Sequence, residues 1–345
     1  MPSAAESAQT TAAGDDVGAP QVTMARALNQ ALRDAMHDDP TVMVFGEDVA
    51  TLGGVFRITD GVAETFGGAR CFDTPLAESG IIGFAVGLAM YGRRPVPEVQ
   101  FDGFVYPAFD QIVSHVAKLR NRTRGLVTVP LTLRLPYGGG IGALEHHSES
   151  PEAYFAHTAG LRVVTPSSPI DAYRLLRAAI ACDDPVIFLE PKSRYWTKET
   201  GNFPTDDVDV TTLDRARVLR AGTDATVIAY GPTVRPALEA AELAAQEGVS
   251  LEVLDLRTLA PLDEAAIVDS ARHTGRLVVV HEASGTLGLG AEVTAVAHSR
   301  CFYHLEAPVA RVTGYDTPYP PAMMEQYWLP DADRILEAVS ELFGY

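Results

Sequence analysis

Short, nearly unbroken apolar runs alternate with helix-periodic segments along most of this chain, and that alternation constrains the fold more than any other feature. A strand with one wet face alternates apolar and polar side chains, whereas a strand covered on both faces reads as a continuous apolar run. Runs of the second kind stand at 41–45 (TVMVF), 161–165, 186–190 (VIFLE), 225–230 (ATVIAY), 250–255 and 276–281 (RLVVVH). Further strands are expected at 70–73, 95–101 and 126–135. The first helix is capped by Thr23, with Ala27, Leu28, Ala31, Leu32, Ala35 and Met36 on one face. Other helices are predicted from Glu78, over 104–122, 170–181 and 234–246, from Asp263, and over 290–297 and 331–343. Strands and helices in this order predict an α/β fold, a parallel sheet with helices on both faces.

At roughly 150 residues per domain, the 345 residues provide for about two domains. Periodicity lapses between 191 and 223, where WTKETGNFPTDDVDVTTLD is polar, rich in Thr and Asp and broken by proline. We therefore expect a disordered tail over 1–21, an α/β domain over 22–200, a linker over 201–220 and a smaller α/β domain over 221–345.

Charge excludes one class of function. With 27 basic and 45 acidic residues the net charge is −18, which opposes any role that depends on gripping a nucleic-acid backbone. The acidity is uneven. Residues 1–200 hold 17 basic and 23 acidic side chains, while 201–345 hold 10 and 22 and no lysine. That skew serves solubility, or steers a basic partner to the C-terminal half. Three cysteines, Cys71, Cys182 and Cys301, make neither a disulfide framework nor a metal knuckle and fit a reducing compartment. The longest apolar run, 81–90, has ten residues against the about 20 that a membrane span needs. The first twenty residues read as neither a secretory signal nor a transit peptide, so the cytoplasm is the expected location.

Phosphate-binding loops are poorly matched. Pro136-Tyr137-Gly138-Gly139-Gly140-Ile141-Gly142 lacks the Lys-Ser/Thr of a P-loop, and Gly288-Leu289-Gly290 lacks the third glycine of a dinucleotide fingerprint. In open parallel sheets ligands bind at the carboxyl ends of strands. Glu47, Glu78 and the pair His146-His147 fall at such ends. Glu78 opens an apolar helix, where the helix dipole favours a first-turn carboxylate. A carboxylate held out of water there would also suit proton exchange with a ligand nitrogen. Phe101 and Phe104 flank another strand end, as core residues or as a stacking platform.

The blocks GEDVATLGGVFRITDG, FDTPLAESGIIGFAVGLAMYGRRPVPEVQF, PAFDQIV, HHSESPEAYFAHTAGLRVVTP and DDPVIFLEPK closely resemble the beta subunit of the decarboxylating first component of 2-oxo acid dehydrogenase complexes. The resemblance runs from about residue 22 to the C-terminus. It implies a thiamine-diphosphate-binding pyrimidine domain of the transketolase type followed by a transketolase C-terminal-like domain. By position, Glu78 is similar to the glutamate that bonds the aminopyrimidine ring and supports its imino tautomer. Glu47, Leu76, Gln100 and Phe104 resemble positions around that ring, with Phe104 stacking on it. His147 resembles the histidine that acts on the substrate carboxylate and in acyl transfer to lipoyl groups. Some members of the family hold a structural potassium ion; the matching positions are Val129, Leu131, Thr132, Ala179, Cys182 and Asp184.

The resemblance also implies partners. The diphosphate of thiamine is usually held through Mg2+ by a GDG motif, and this sequence has none. A separate alpha subunit would supply it, in an α2β2 heterotetramer. The lipoyl-bearing acyltransferase component would dock on the acidic C-terminal domain. EVQFDGFVYPAFDQIV and HSESPEAYFAH look more like the branched-chain than the pyruvate enzymes. The alternatives are a pyruvate dehydrogenase beta subunit, or a scaffold subunit that docks the acyltransferase without catalysis.

Overall fold

A computed structural model describes residues 20–345. The expected tail lies outside the described residues as far as residue 19, and Gln21 already belongs to a strand.

Among the described residues, fourteen strands follow in chain order. They are β1 (Gln21–Thr23), β2 (Val42–Gly46), β3 (Cys71–Asp73), β4 (Arg94–Glu98), β5 (Thr132–Tyr137), β6 (Arg162–Val164) and β7 (Val186–Pro191). Next come β8 (Lys198–Thr200), β9 (Arg217–Arg220), β10 (Ala225–Ala229), β11 (Leu251–Asp255), β12 (Thr258–Ala260), β13 (Leu277–Ser284) and β14 (Ala310–Gly314). The longer helices are α1 (Met24–Asp38), α2 (Glu78–Met90), α3 (Pro169–Ala181), α4 (Val234–Gln246), α5 (Glu264–Thr274), α6 (Leu289–Cys301) and α7 (Ala332–Leu342).

The first sheet has the order β12-β6-β7-β5-β4-β2-β3, parallel throughout except for β12. The second has the order β14-β13-β10-β11-β9, again parallel except for an antiparallel edge strand, β9. Both are the helix-covered sheets that continuous apolar runs require. The Thr23 hydroxyl caps α1 by accepting from Arg26 N at 3.2 Å. Leu28, Leu32 and Met36 on α1 are wholly buried, each contributing roughly 1.5–3 kcal/mol of hydrophobic stabilisation. They pack with Val44, Leu176 and Phe188 on one face of the first sheet. On the other face Phe45, Ile82, Leu133 and Tyr137 join Tyr230, Leu254 and Val279, so one core runs through both halves of the chain.

Three local expectations were overridden. The helix over 104–122 is instead a 3-10 turn (Asp102–Ala108), one α turn, a π turn (Ile112–Val116) and a short helix (Leu119–Arg122). Pro107 sits inside the first of these, where its missing N–H and its ring forbid a continuous α-helix. The strand expected from 126 begins only at Thr132, because the N–H groups of Leu126, Val127 and Leu131 bond locally, to Thr123 and Val129, and not across a ladder. The polar stretch after 191 carries β8, which pairs with β1, and β9, which pairs with β11. No helix among the described residues is long and apolar enough to cross a membrane.

Candidate active site

The turn after β2 and the loop after β3 are tied to each other. Asp73, the last residue of β3, accepts from Ala50 N at 2.7 Å, and Thr74 N donates to Gly46 O at 2.9 Å. Gly46 is required here: with φ of +157°, its added Cβ would meet Glu98 O at 2.6 Å. The result brings Glu47 beside Glu78. Glu78 begins α2 and is 6% exposed. Glu47 has one carboxylate oxygen, Oε1, buried with no hydrogen-bond partner. Burial raises its pKa, and the neighbouring Glu78, Asp48 and Glu98 raise it further. Gln100, after β4, joins the pair by donating from Nε2 to Glu47 O at 3.0 Å and to Glu98 Oε1 at 2.6 Å.

Beneath this cluster lies a buried ionic floor. Arg134 on β5 donates to Glu98 Oε2 at 2.5 Å and to Glu190 at 2.6 and 2.8 Å, and Tyr195 donates to Glu190 Oε2 at 2.7 Å. Burial opposes the charge on Arg134, but Glu190 and Glu98 overcome it and its pKa is raised. Glu98 therefore orients Gln100 from a fixed base. Nothing in the local sequence flagged Glu98, Arg134 or Glu190; a charge inside an apolar strand run is the signal that would have found them.

His147 sits in the 3-10 turn Glu145–His147, after the glycine loop that follows β5. Its ring lies 5.3 Å from that of Phe101, 5.4 Å from Phe104 and 4.3 Å from His146, centroid to centroid. The Nδ1 atom is buried without a partner. Burial lowers its pKa, and His146 and Lys192 lower it further, so the neutral ring is favoured. The turn is anchored by Asp102, whose Oδ2 accepts from Glu149 N at 2.7 Å and whose Oδ1 pairs with the buried Lys192. Phe104 is 37% exposed, and Leu76 is 77% exposed in the loop before Glu78.

The structure thus gathers Glu47, Glu78 and Gln100 into one cluster and Phe104 with His147 into a second, joined through Phe101. Buried atoms without partners concentrate here: Glu47 Oε1, Thr74 Oγ1, His147 Nδ1 and Ser148 Oγ. Such atoms cost free energy unless a ligand meets them, so the set fits a nitrogen-rich ring and a polar substrate. Thr74 and Ser148 were not singled out from sequence.

The six positions considered for potassium lie at the opposite, amino ends of β5 and β7, where the chain itself already engages them. The carbonyls of Val129, Leu131 and Ala179 accept from Leu131 N (2.8 Å), Val186 N (2.8 Å) and Cys182 N (3.2 Å). The Cys182 carbonyl accepts from Arg94 Nη1 at 2.9 Å. Asp184 pairs with Arg120 and lies 3.8 Å from Arg162, and Thr132 is held in the β5–β7 ladder. Arg94, Arg120 and Arg162 at this edge are paired with Asp39, Asp183, Asp184 and Asp214.

Residues 20–197 match the family described as "Transketolase, pyrimidine binding domain", and residues 214–335 match "Transketolase, C-terminal domain". The chain is 57% identical over 322 residues to a "Pyruvate dehydrogenase E1 component subunit beta" of Leifsonia xyli subsp. xyli, covering 93% of this chain and 95% of that protein. It is 58% identical to a "3-methyl-2-oxobutanoate dehydrogenase subunit beta" of Mycobacterium tuberculosis, covering 93% and 92%. A "2-oxoisovalerate dehydrogenase subunit beta" of Pseudomonas aeruginosa is 47% identical, covering 91% and 93%. Among solved structures, a "Split gene transketolase, inactive beta4 tetramer" superposes with a TM-score of 0.75 over 94% of this chain and 98% of that one. At 24% identity that likeness speaks to the fold alone.

Proposed function

The chain belongs to the beta subunits of the decarboxylating first component of 2-oxo acid dehydrogenases, and from that membership we propose that it forms one half of a thiamine-diphosphate site completed by a separate alpha subunit. The reaction is oxidative decarboxylation of a branched-chain 2-oxo acid with acyl transfer to a lipoyl group. The observation that carries this reading is Glu78, a carboxylate 6% exposed at the first turn of an apolar helix beside the raised Glu47.

Thiamine diphosphate supplies, when bound, the carbanion-stabilising chemistry that lets carbon dioxide leave a 2-oxo acid. The chain's own groups prepare for it. Glu78 holds and exchanges a proton at a ring nitrogen of the pyrimidine, a transfer that benefits from its exclusion from water. Gln100 and Glu47 present polar groups to the ring's edge, Leu76 an apolar contact and Phe104 its face. Neutral His147 donates or accepts one proton at the substrate carboxylate and at the lipoyl sulfur. The diphosphate and its Mg2+ fall to the alpha subunit of an α2β2 heterotetramer. We place the pyrimidine-binding domain over 22–200 and the second domain over 221–345, with the last residues of the 201–220 linker, β9, already joining the second sheet. The 22 acidic against 10 basic side chains of residues 201–345 favour docking of a basic segment of the acyltransferase there.

The test is reconstitution with the alpha subunit. Thiamine-dependent decarboxylation should appear, faster on branched-chain 2-oxo acids than on pyruvate. Glu78→Gln should cut turnover on the order of 100- to 10,000-fold with the tetramer intact. An unimpaired Glu78→Gln tetramer would overturn the mechanism. Preference for pyruvate would transfer the assignment to the pyruvate enzymes, a second reading favoured by the 57% identical Leifsonia protein.

A further inference from the structure

The glycine loop that leads from β5 to His147 is held from a distant part of the chain. Glu282, near the end of β13, accepts from Gly139 N at 3.0 Å. Glu325 Oε1 accepts from Gly140 N at 2.8 Å, and its Oε2 accepts from Gly142 N at 3.1 Å. Tyr319 donates to Glu325 Oε1 at 2.5 Å and so fixes that carboxylate. The approach is close enough to demand glycine: a Cβ on Gly139 would lie 2.0 Å from Tyr319 Oη. At the base of the loop Gly138 N donates to Glu149 O at 2.9 Å, and Glu149 N donates to Asp102 Oδ2 at 2.7 Å. Both ends of the 138–149 segment are thus fastened within the first half, while Gly139, Gly140 and Gly142 are fastened from the second, by Glu282, Glu325 and Tyr319.

A loop with four glycines loses much conformational entropy on ordering, and no side chains of its own define one shape. Bonds from backbone N–H groups to carboxylates are strong ones available to hold it, although burial pushes the Glu282 carboxyl up to about 7 and so weakens the charge on its bond near neutral pH. Neither Glu282 nor Glu325 is among the residues expected around the cofactor or substrate. Glu325 reaches the site through the loop, and Glu282 through the loop and through the Lys192–Asp102 pair that anchors the His147 turn.

We propose that Glu282 and Glu325 are positioning residues for His147: the C-terminal half clamps the glycine loop and thereby sets the histidine's place over the substrate. This rests on the functional reading above for the role of His147. It adds that the second half of the chain contributes to the chemistry as well as to docking.

The test uses the reconstituted, cofactor-loaded tetramer with Glu325→Ala, Glu325→Gln and Tyr319→Phe. Hydrogen exchange of the 138–149 peptide should accelerate several-fold in Glu325→Ala, and the rate at which diethyl pyrocarbonate modifies His147 should change with it. The kcat/KM for the 2-oxo acid should fall on the order of 10- to 100-fold, the scale of a small misplacement of a catalytic group. Affinity for thiamine diphosphate should hold, since the Glu78 cluster is untouched. Glu325→Gln, which keeps an acceptor oxygen, should recover most of the loss, and Tyr319→Phe should fall between. Unchanged exchange overturns the clamp, as does accelerated exchange with unchanged His147 reactivity. An equal fall in cofactor affinity marks a merely structural role and overturns it too. If the wild-type tetramer fails to decarboxylate any 2-oxo acid, the functional reading fails, while exchange and His147 reactivity still decide the clamp. Should Glu325→Ala not fold, the other two variants carry the same comparison.

Discussion

The two edges of the first sheet both gather charge, and they treat it in opposite ways. At the carboxyl edge Glu47, Glu78 and Glu98 crowd together, with Glu47 Oε1 buried and unpartnered and its pKa raised by burial and by its neighbours. At the amino edge Arg94, Arg120 and Arg162 engage Asp183, Asp184 and the carbonyls of Ile180 and Cys182. The first edge keeps polar groups in an unfavourable state that a ligand would relieve; the second is saturated by the protein itself. Unsatisfied buried groups in a native structure point to function, and satisfied ones to stability.

This contrast can be broken, and the largest effect is expected beneath the carboxyl edge. Arg134→Met strands Glu98 and Glu190 as uncompensated buried charges, and unfolding measurements should show a loss of about 3–5 kcal/mol. A loss below about 1 kcal/mol would mean that the floor is not under charge tension. Arg94→Met makes the matching change at the amino edge. There the guanidinium is 24% exposed, so solvent compensates in part and about 1–3 kcal/mol should be lost. Exchanging potassium for sodium at constant ionic strength should leave the melting temperature of the wild type unchanged. A potassium-specific rise would place the ion back at those carbonyls. The smallest effect is a shift in pH dependence. After burial, the neighbouring His146 is the next cause that lowers the pKa of His147. His146→Asn should therefore raise the pKa of His147 and move the acidic limb of the kcat/KM profile to higher pH. A limb that stays in place, or moves down, assigns that limb to another group.

Much of the carboxyl edge was legible in the sequence. Glu47, Glu78 and His147 could be placed because each follows a readable strand, Glu47 directly and the other two across a loop, and in a parallel sheet the strand ends fall on one side. Resemblance added Gln100, Leu76 and Phe104. The ionic floor was not legible, since Glu98, Arg134 and Glu190 sit on different strands and meet only through sheet register. At the amino edge the same limit applies: Arg94, 88 residues before Cys182, donates to its carbonyl, a contact no local pattern announces.

By itself the sequence determined that the chain would fold as two helix-covered parallel sheets with its reactive groups at strand ends, because hydrophobic periodicity and turn chemistry act over a few residues. Only the tertiary structure decided who meets whom across the chain. It set β12 antiparallel to β6 at the edge of the first sheet, closed a guanidinium over the Cys182 carbonyl, and brought Glu282 and Glu325 onto glycines 143 and 185 residues away. Those contacts follow from how packed elements bring distant backbone and charge together, and no local pattern encodes that.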